Sequence, residues 1–215
     1  MIPLANFTEQ STGRDIESII RGRRSIRSYR SERPSDVVLS RLFESAALAP
    51  SAHNRQPWRY CVISDSALKQ ELAKAMGARL ATDRRRDGDS AHAIEADIAR
   101  SAARITGAPI VIIVALTLSE MDRYPDKARS NAEYLMAVQS TAMATQNLLL
   151  AAHAANMGAC WMCGPLFCPT EVRAVLRLPD DWQPQGLLTL GYPKQSGKFR
   201  PRKETSAFVR IATDG

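Results

Sequence analysis

Apolar residues return every three or four positions over most of this chain, and in a few short stretches they run together. Ile16, Ile19 and Ile20 mark a short helix over 14–22. Pro34-Ser35-Asp36 is a helix start with Ser35 as N-cap, and Val37, Val38, Leu42, Phe43, Ala46 and Ala47 continue at helical spacing until Pro50 stops them. Trp58 to Ile63 has the aromatic and β-branched content of a strand. A helix is expected from Ser66 to about Leu80, then a charged, Gly-containing loop or lid over 81–90, then a helix from Ala91 to Ile105. Ile110 to Leu116 is continuously apolar and of strand length, the pattern of a strand buried on both faces. After a loop over Ser119 to Asp126, Ser130 to Asn156 lacks Pro and Gly and reads as one long helix, with Gly158 as its stop. Short strands near Ala159–Met162 and over Gln185–Tyr192 flank a helix over Thr170–Leu178, and an extended basic tail begins at Lys194.

These elements predict an α+β fold, a mixed sheet covered by helices, in one domain over 14–215 behind an N-terminal arm at 1–13. With 215 residues the chain is long enough for one sizeable core. A hydrophobic share of 45% with 24% charged residues is that of an ordinary soluble protein. The start is polar with no apolar signal region, and no run of about 18 apolar residues occurs. The four cysteines, Cys61, Cys160, Cys163 and Cys168, are then expected to be reduced thiols in a cytoplasmic protein that crosses no membrane.

Charge changes the picture most. The formal net charge is +7, and the basic residues cluster. Arg23-Arg24-Ser25-Ile26-Arg27-Ser28 packs three guanidinium groups and two hydroxyls into six residues, a costly arrangement unless it meets an anion. Guanidinium forks suit phosphate, and serine adds a donor. A second polar stretch, Pro50-Ser51-Ala52-His53-Asn54-Arg55-Gln56-Pro57-Trp58, lies between an apolar helix and an apolar strand. The pair suggests a phosphorylated cofactor held between two loops. No Walker A sequence and no G-x-G-x-x-G after a strand is present, which disfavours ATP hydrolysis and a dinucleotide-binding Rossmann site. Nucleic acid is disfavoured by an aromatic content of 6% with no basic strand interleaved by aromatics.

The two motifs, in this order and about 25 residues apart, resemble those of the FMN-dependent nitroreductase family over about Ile16 to Ile211. The resemblance implies a nitroreductase-type fold, an intertwined homodimer with the flavin at the subunit interface, and NADH or NADPH as electron donor. It implies that Arg23, Arg24, Ser25 and Arg27 hold FMN, and that Pro50, Ser51 and Asn54 line the flavin from the partner. It also implies that Met162, Cys163 and Gly164 pass over the ring, and that Arg200 and Arg202 reach the phosphate. No side chain is expected to act as a nucleophile.

Within the family, Asp87-Gly88-Asp89-Ser90, Ala108-Pro109-Ile110-Val111-Ile112, Tyr124-Pro125-Asp126 and Leu176-x-Leu178-Pro179-x-Asp181-Trp182 resemble one branch. That branch is the reductase domain of the bacterial deazaflavin-coenzyme γ-glutamyl ligase. The acceptor it implies is a dehydro deazaflavin precursor, with Asp83, Arg84 and Arg86 on a substrate-facing loop. A broad nitroaromatic or quinone reductase is the alternative. Cys160-x-x-Cys163 with Cys168 and His153 has the residue types of a zinc site, but no second C-x-x-C and no thioredoxin-like context accompany it, so no metal is expected.

Overall fold

The computed structural model describes residues 15–212; the arm at 1–13 lies outside them. Among these residues six α-helices and four strands follow one another as α1 (Ile16–Gly22), α2 (Asp36–Ala47), β1 (Trp58–Ile63), α3 (Ser66–Arg86), α4 (Ala91–Thr106), β2 (Ile110–Leu116), α5 (Lys127–Ala154), β3 (Gly158–Met162), α6 (Pro169–Leu176) and β4 (Gln183–Gly191). The strand order is β1-β2-β4-β3, and every neighbouring pair is antiparallel. The α+β class is as expected. The mixed character of the sheet reduces to one parallel bridge, Ser25 to Ala159, where the chain leaving α1 runs beside β3.

Strand β2 organises the core because all seven of its residues are buried. Ile110, Ile112 and Val114 face a cluster with Leu39, Leu42 and Ala46 of α2 and Ala144, Leu148 and Ala152 of α5. Val111 and Ile113 face the opposite cluster, with Leu72 and Met76 of α3, Ile105 of α4 and Val172 of α6. The period-two alternation of a strand thus feeds two helical layers from one continuous apolar run.

Local signals placed most ends. Ser35 caps α2 by accepting from the Val38 amide at 3.4 Å, and Asp65, one residue before the expected start, caps α3 through the Leu68 amide at 2.7 Å. Two expectations need correction. The loop placed at 81–90 is helical through Arg86, and only Asp87 to Ser90 turns the chain, with Gly88 at φ 86°. Its charges did not break the helix because Arg79 pairs with Asp83 at i,i+4 and Ala81 is buried beneath them. Gly158 does not stop α5 either; Asn156 takes the left-handed position at φ 58°, and Gly158 opens β3. A Cβ at 158 would lie 2.6 Å from Ile26, so this glycine lets the segment after α1 lie against the strand.

Among the described residues, no helix is long and apolar enough to cross a membrane.

Candidate functional site

The segment after α1 is held along the sheet edge from both ends. The Ile26 amide donates to the Ala159 carbonyl at 3.0 Å, the Arg30 amide to Tyr192 at 2.8 Å, and the Lys194 amide to Ser28 at 3.1 Å. Tyr29 pins its middle: the buried hydroxyl bonds the Ile26 carbonyl and sits 2.7 Å from Thr189 Oγ1. Burial raises this phenol above its usual pKa, so it stays a neutral hydrogen-bonding group.

This geometry turns the motif's cations toward a cavity of about 550 Å³. Arg23, Arg24 and Arg27 line it, together with Arg104 from α4 and Lys198, Arg200 and Arg202 from the tail. No acidic residue lines it, and among the described residues none of these seven cations forms an ion pair. Elsewhere Arg21, Arg33, Arg55, Arg79, Arg84, Arg86, Arg100 and Arg129 each face a carboxylate. Burial lowers the pKa of Arg23, and the positive charges of Arg202 and Arg24 lower it further. Three guanidinium groups in mutual repulsion mark a place built for an anion.

Cys160 of β3 follows Ala159, where Ser25 bridges to the strand, and feels these charges. Burial pushes its thiol up, while Arg27, Arg104 and Arg23 pull it down, and the Ser25 hydroxyl hydrogen-bonds it. Cations of α4 and of the motif segment therefore line one cavity and act on the same β3 residue. Arg104 was not expected there: in the sequence it is one more cation in the last turn of a helix, a common and locally favourable placement. Arg24 differs from its neighbours. It donates to the carbonyls of Arg21 at 2.5 Å and Arg23 at 2.9 Å, so it also serves the C-terminal end of α1. Its guanidinium lies 5.4 Å from the Phe199 ring centroid.

The other expected residues lie elsewhere on the chain. Pro50 to Asn54 sit against the middle of α5, where the Ala52 amide donates to Ser140 Oγ at 3.3 Å. Ser51 accepts from the Gln56 amide at 3.1 Å. His53, Asn54 and Gln56 all have positive φ, at 50°, 55° and 48°. Three such residues in one turn are uncommon outside glycine and are strained, a feature that clusters at functional sites. The basic cavity lies toward the far end of the same helix, where Gly22 meets His153. Thirteen residues at 1.5 Å each separate Ser140 from His153, roughly 20 Å.

Met162, Cys163 and Gly164 end β3 at the opposite end of that strand from Ser25. Trp161 donates its indole N–H to Cys163 Sγ at 3.0 Å, and a Cβ on Gly164 would lie 2.8 Å from Met76. Gly164 also borders a mostly apolar cavity of about 320 Å³ with Met76, Leu80, Phe167 and Cys168. Asp83 and Arg84 lie on its rim, and Arg86 does not line it. Arg84 is held between Asp89, at 2.6 Å, and Asp97. Asp83 pairs with Arg79, and Arg86 is largely exposed with Asp83 at 3.7 Å.

A sheet between two helical layers, with an acid-free basic cavity beside its edge, is a fold that offers a place for an anionic cofactor. The chain belongs to the nitroreductase family, whose model matches residues 20–192. It is 31% identical over 188 residues to a 5,6-dimethylbenzimidazole synthase of Rhodobacter capsulatus, spanning 86% of this chain and 87% of that one. A Desulfovibrio desulfuricans protein described as a nitroreductase and solved in complex with FMN superposes with a TM-score of 0.69 at 25% identity, over 94% of this chain and 100% of that one. A BluB-like flavoprotein of Clostridium difficile shares the fold at a TM-score of 0.77 and 20% identity, over 94% of this chain and all of that one.

Proposed function

We propose that this member of the nitroreductase family is an FMN-dependent oxidoreductase that takes electrons from NADH or NADPH and passes them to a small-molecule acceptor. The observation that carries the reading is the cavity ringed by seven cations with no acid among them. Arg23, Ser25 and Arg27 hold the phosphate, with Arg104 and Arg202 completing its surroundings. Bound FMN supplies reversible hydride transfer at its ring. The chain's own part is to orient and polarise. Strand β3 runs from Ala159, beside the phosphate cluster, to Met162, about 10 Å away at 3.3 Å per residue, and Met162 to Gly164 are the residues assigned to the ring.

The assembly proposed is a homodimer. One chain's Pro50–Asn54 loop is too far along α5 to serve its own cavity, so Pro50, Ser51 and Asn54 are assigned to the partner's flavin. Exposed apolar side chains support this: Ile16 and Ile20 on α1, Leu48 after α2, and Leu135 and Met143 on α5.

The acceptor to test first is a dehydro deazaflavin precursor, on the resemblance that is strongest around residues 81–133. A broad nitroaromatic or quinone reductase is favoured by a different observation, the apolar lining of the cavity at Met76, Leu80 and Phe167. Arg84, already placed between two carboxylates, adds little to anion recognition there.

The test begins with the purified protein, which should be yellow and should bleach anaerobically with NADH or NADPH. Arg23→Ala with Arg27→Ala should give a folded chain without flavin. Full flavin occupancy in that double variant overturns the assignment.

A further inference from the structure

A carboxylate stands where the pattern of α5 calls for an apolar residue. The buried face of this helix carries Ala137, Ala144, Leu148 and Ala152 with small hydroxyls between them, and Glu133 begins it, only 5% exposed. Among the described residues, two with charged side chains are buried, and they are treated differently. Lys69 gives its ammonium to the Ala108 carbonyl at 2.7 Å. Glu133 meets no cation. Its one hydrogen bond is a long contact, 3.3 Å, from the Asp122 amide to Oε2, which leaves Oε1 without a partner among the described residues. A buried charge is costly unless it is paired.

Glu133 lines a cavity of about 500 Å³, toward the opposite end of α5 from the basic one and of a size that suits a small molecule. Asp122 and Asp181 line it too, and Asp122 is neutralised by Arg55 at 2.8 Å. Asp181 is fixed by the wholly buried Thr117, whose hydroxyl donates to one carboxylate oxygen at 2.6 Å. Arg123 also lines the cavity and forms no ion pair among the described residues. Glu133 and Asp181 therefore outweigh Arg123, and the balance calls for a cation. The rest of the wall is largely apolar: Leu118 and Met121 belong to the small core at this end, and Tyr124 adds a ring.

We infer that this cavity is a binding site for a primary amine with a small apolar body. The ammonium, with three donors, meets Glu133 and Asp181, and the body lies on Leu118, Met121 and Tyr124. A metal ion is a poorer occupant, because no group of three acidic, histidine or cysteine side chains among the described residues is placed to hold one. A neutral apolar ligand would bury Glu133 further and leave it unpaired. An anion would be repelled by both acids. No residue of the basic cavity or of the ring segment takes part, so the site stands whether or not the flavin reading holds.

The experiment is a calorimetric titration of the full chain with 2-phenylethylamine, 2-phenylethanol, 3-phenylpropionate and magnesium chloride. The amine should bind about tenfold or more tighter than the alcohol, the gap a charge-assisted hydrogen bond gives. Higher salt should narrow that gap. Glu133→Gln keeps an acceptor for the Asp122 amide and removes the charge. It should erase the preference for the amine and leave the affinity for the alcohol unchanged. Thermal melts report whether it folds, and Asp181→Asn, at an exposed position, makes the same test of charge if it does not. Equal binding of amine and alcohol overturns the inference, as does no measurable binding of the amine. So does tighter binding of 3-phenylpropionate, which would give the cavity to Arg123. Magnesium that binds and displaces the amine overturns it in favour of a metal site. An undiminished preference for the amine in a folded charge-removing variant overturns it as well.

Discussion

Gly186 of β4 lies directly beneath the indole of Trp161 of β3: a Cβ at 186 would come within 2.3 Å of the ring. The missing side chain lets the indole lie against the sheet and aim its N–H at Cys163 Sγ. A glycine in a buried strand thereby sets the position of Met162 to Gly164.

Gly186→Ala should therefore cost stability and displace the end of β3. Overpacking a rigid ring costs about 1–3 kcal/mol, which at roughly 2–4 °C per kcal/mol lowers the Tm by several degrees. Thermal melts measure the first effect, and the visible spectrum of the bound flavin reports the second. An unchanged Tm with an unchanged spectrum would show that Trp161 is not held as described.

Alkaline pH should destabilise the fold in two steps. Burial pushes the Cys168 thiol from 9.0 to about 11, and the nearby Glu171 adds to it. Burial likewise pushes the Tyr60 phenol from 10.0 up to about 12. Both folded values lie above the unfolded ones, so the folded state holds more protons in those windows and stability falls as pH rises. The contribution of Cys168 is present below pH 9 and is lost between about 9 and 11; that of Tyr60 is lost between about 10 and 12. Denaturant melts between pH 8 and 11 should show a falling midpoint, with the early part of the fall reduced in Cys168→Ser.

Thiol labelling should be selective. Cys163 is exposed, Cys61 is half-buried, and Cys160 and Cys168 are buried. With burial raising the pKa of Cys61, Cys160 and Cys168, a thiolate-directed reagent at pH 8 should label Cys163 first. Mass spectrometry after a short exposure of the flavin-free protein reads the order, and the buried pair should react only on unfolding.

Arg84→Ala should act on the α3–α4 turn more than on ligand binding. It leaves Asp89 without its partner, while Asp97 keeps Arg100. Because these groups are partly exposed, the loss is about 1 kcal/mol or less. Hydrogen exchange at Asp87–Ser90 should quicken, and acceptor affinity should change less than twofold. A many-fold loss of affinity for an anionic acceptor would restore Arg84 as a substrate contact.

Charge placed on the exposed apolar face should break the proposed dimer. Leu135→Asp with Met143→Asp puts two carboxylates on α5 at positions 48% and 41% exposed. Light scattering should then give a monomer, and flavin should be lost with it, because Pro50 to Asn54 can no longer reach a partner's cavity. A monomer that keeps its flavin would place the whole site within one chain.

Most of the local architecture was legible in the residues. Ser35 capped its helix and the apolar run at Ile110–Leu116 formed a strand, because each depends on neighbours close in sequence. Charge alone misled at 81–86. There the helix continued because Arg79 found Asp83 one turn away and Ala81 found the core, and neither is visible in a hydropathy pattern. Gly158 was misread for a similar reason: its role is to admit Ile26, more than 130 positions earlier in the chain.

Tertiary structure alone decided which cations share the cavity. The sequence determined most of the elements, the cap at Ser35, the excess of arginine and the two motifs of the family, since these follow from periodicity, capping chemistry and composition. It could not show that Arg104 joins Arg23 and Arg27 around Cys160, that Arg84 is taken up by Asp97, or that the tail folds back to set Phe199 over Arg24. Those placements depend on strand order and on close backbone approach at Gly158 and Gly197. Charge acts through space over several ångströms, whatever the separation along the chain.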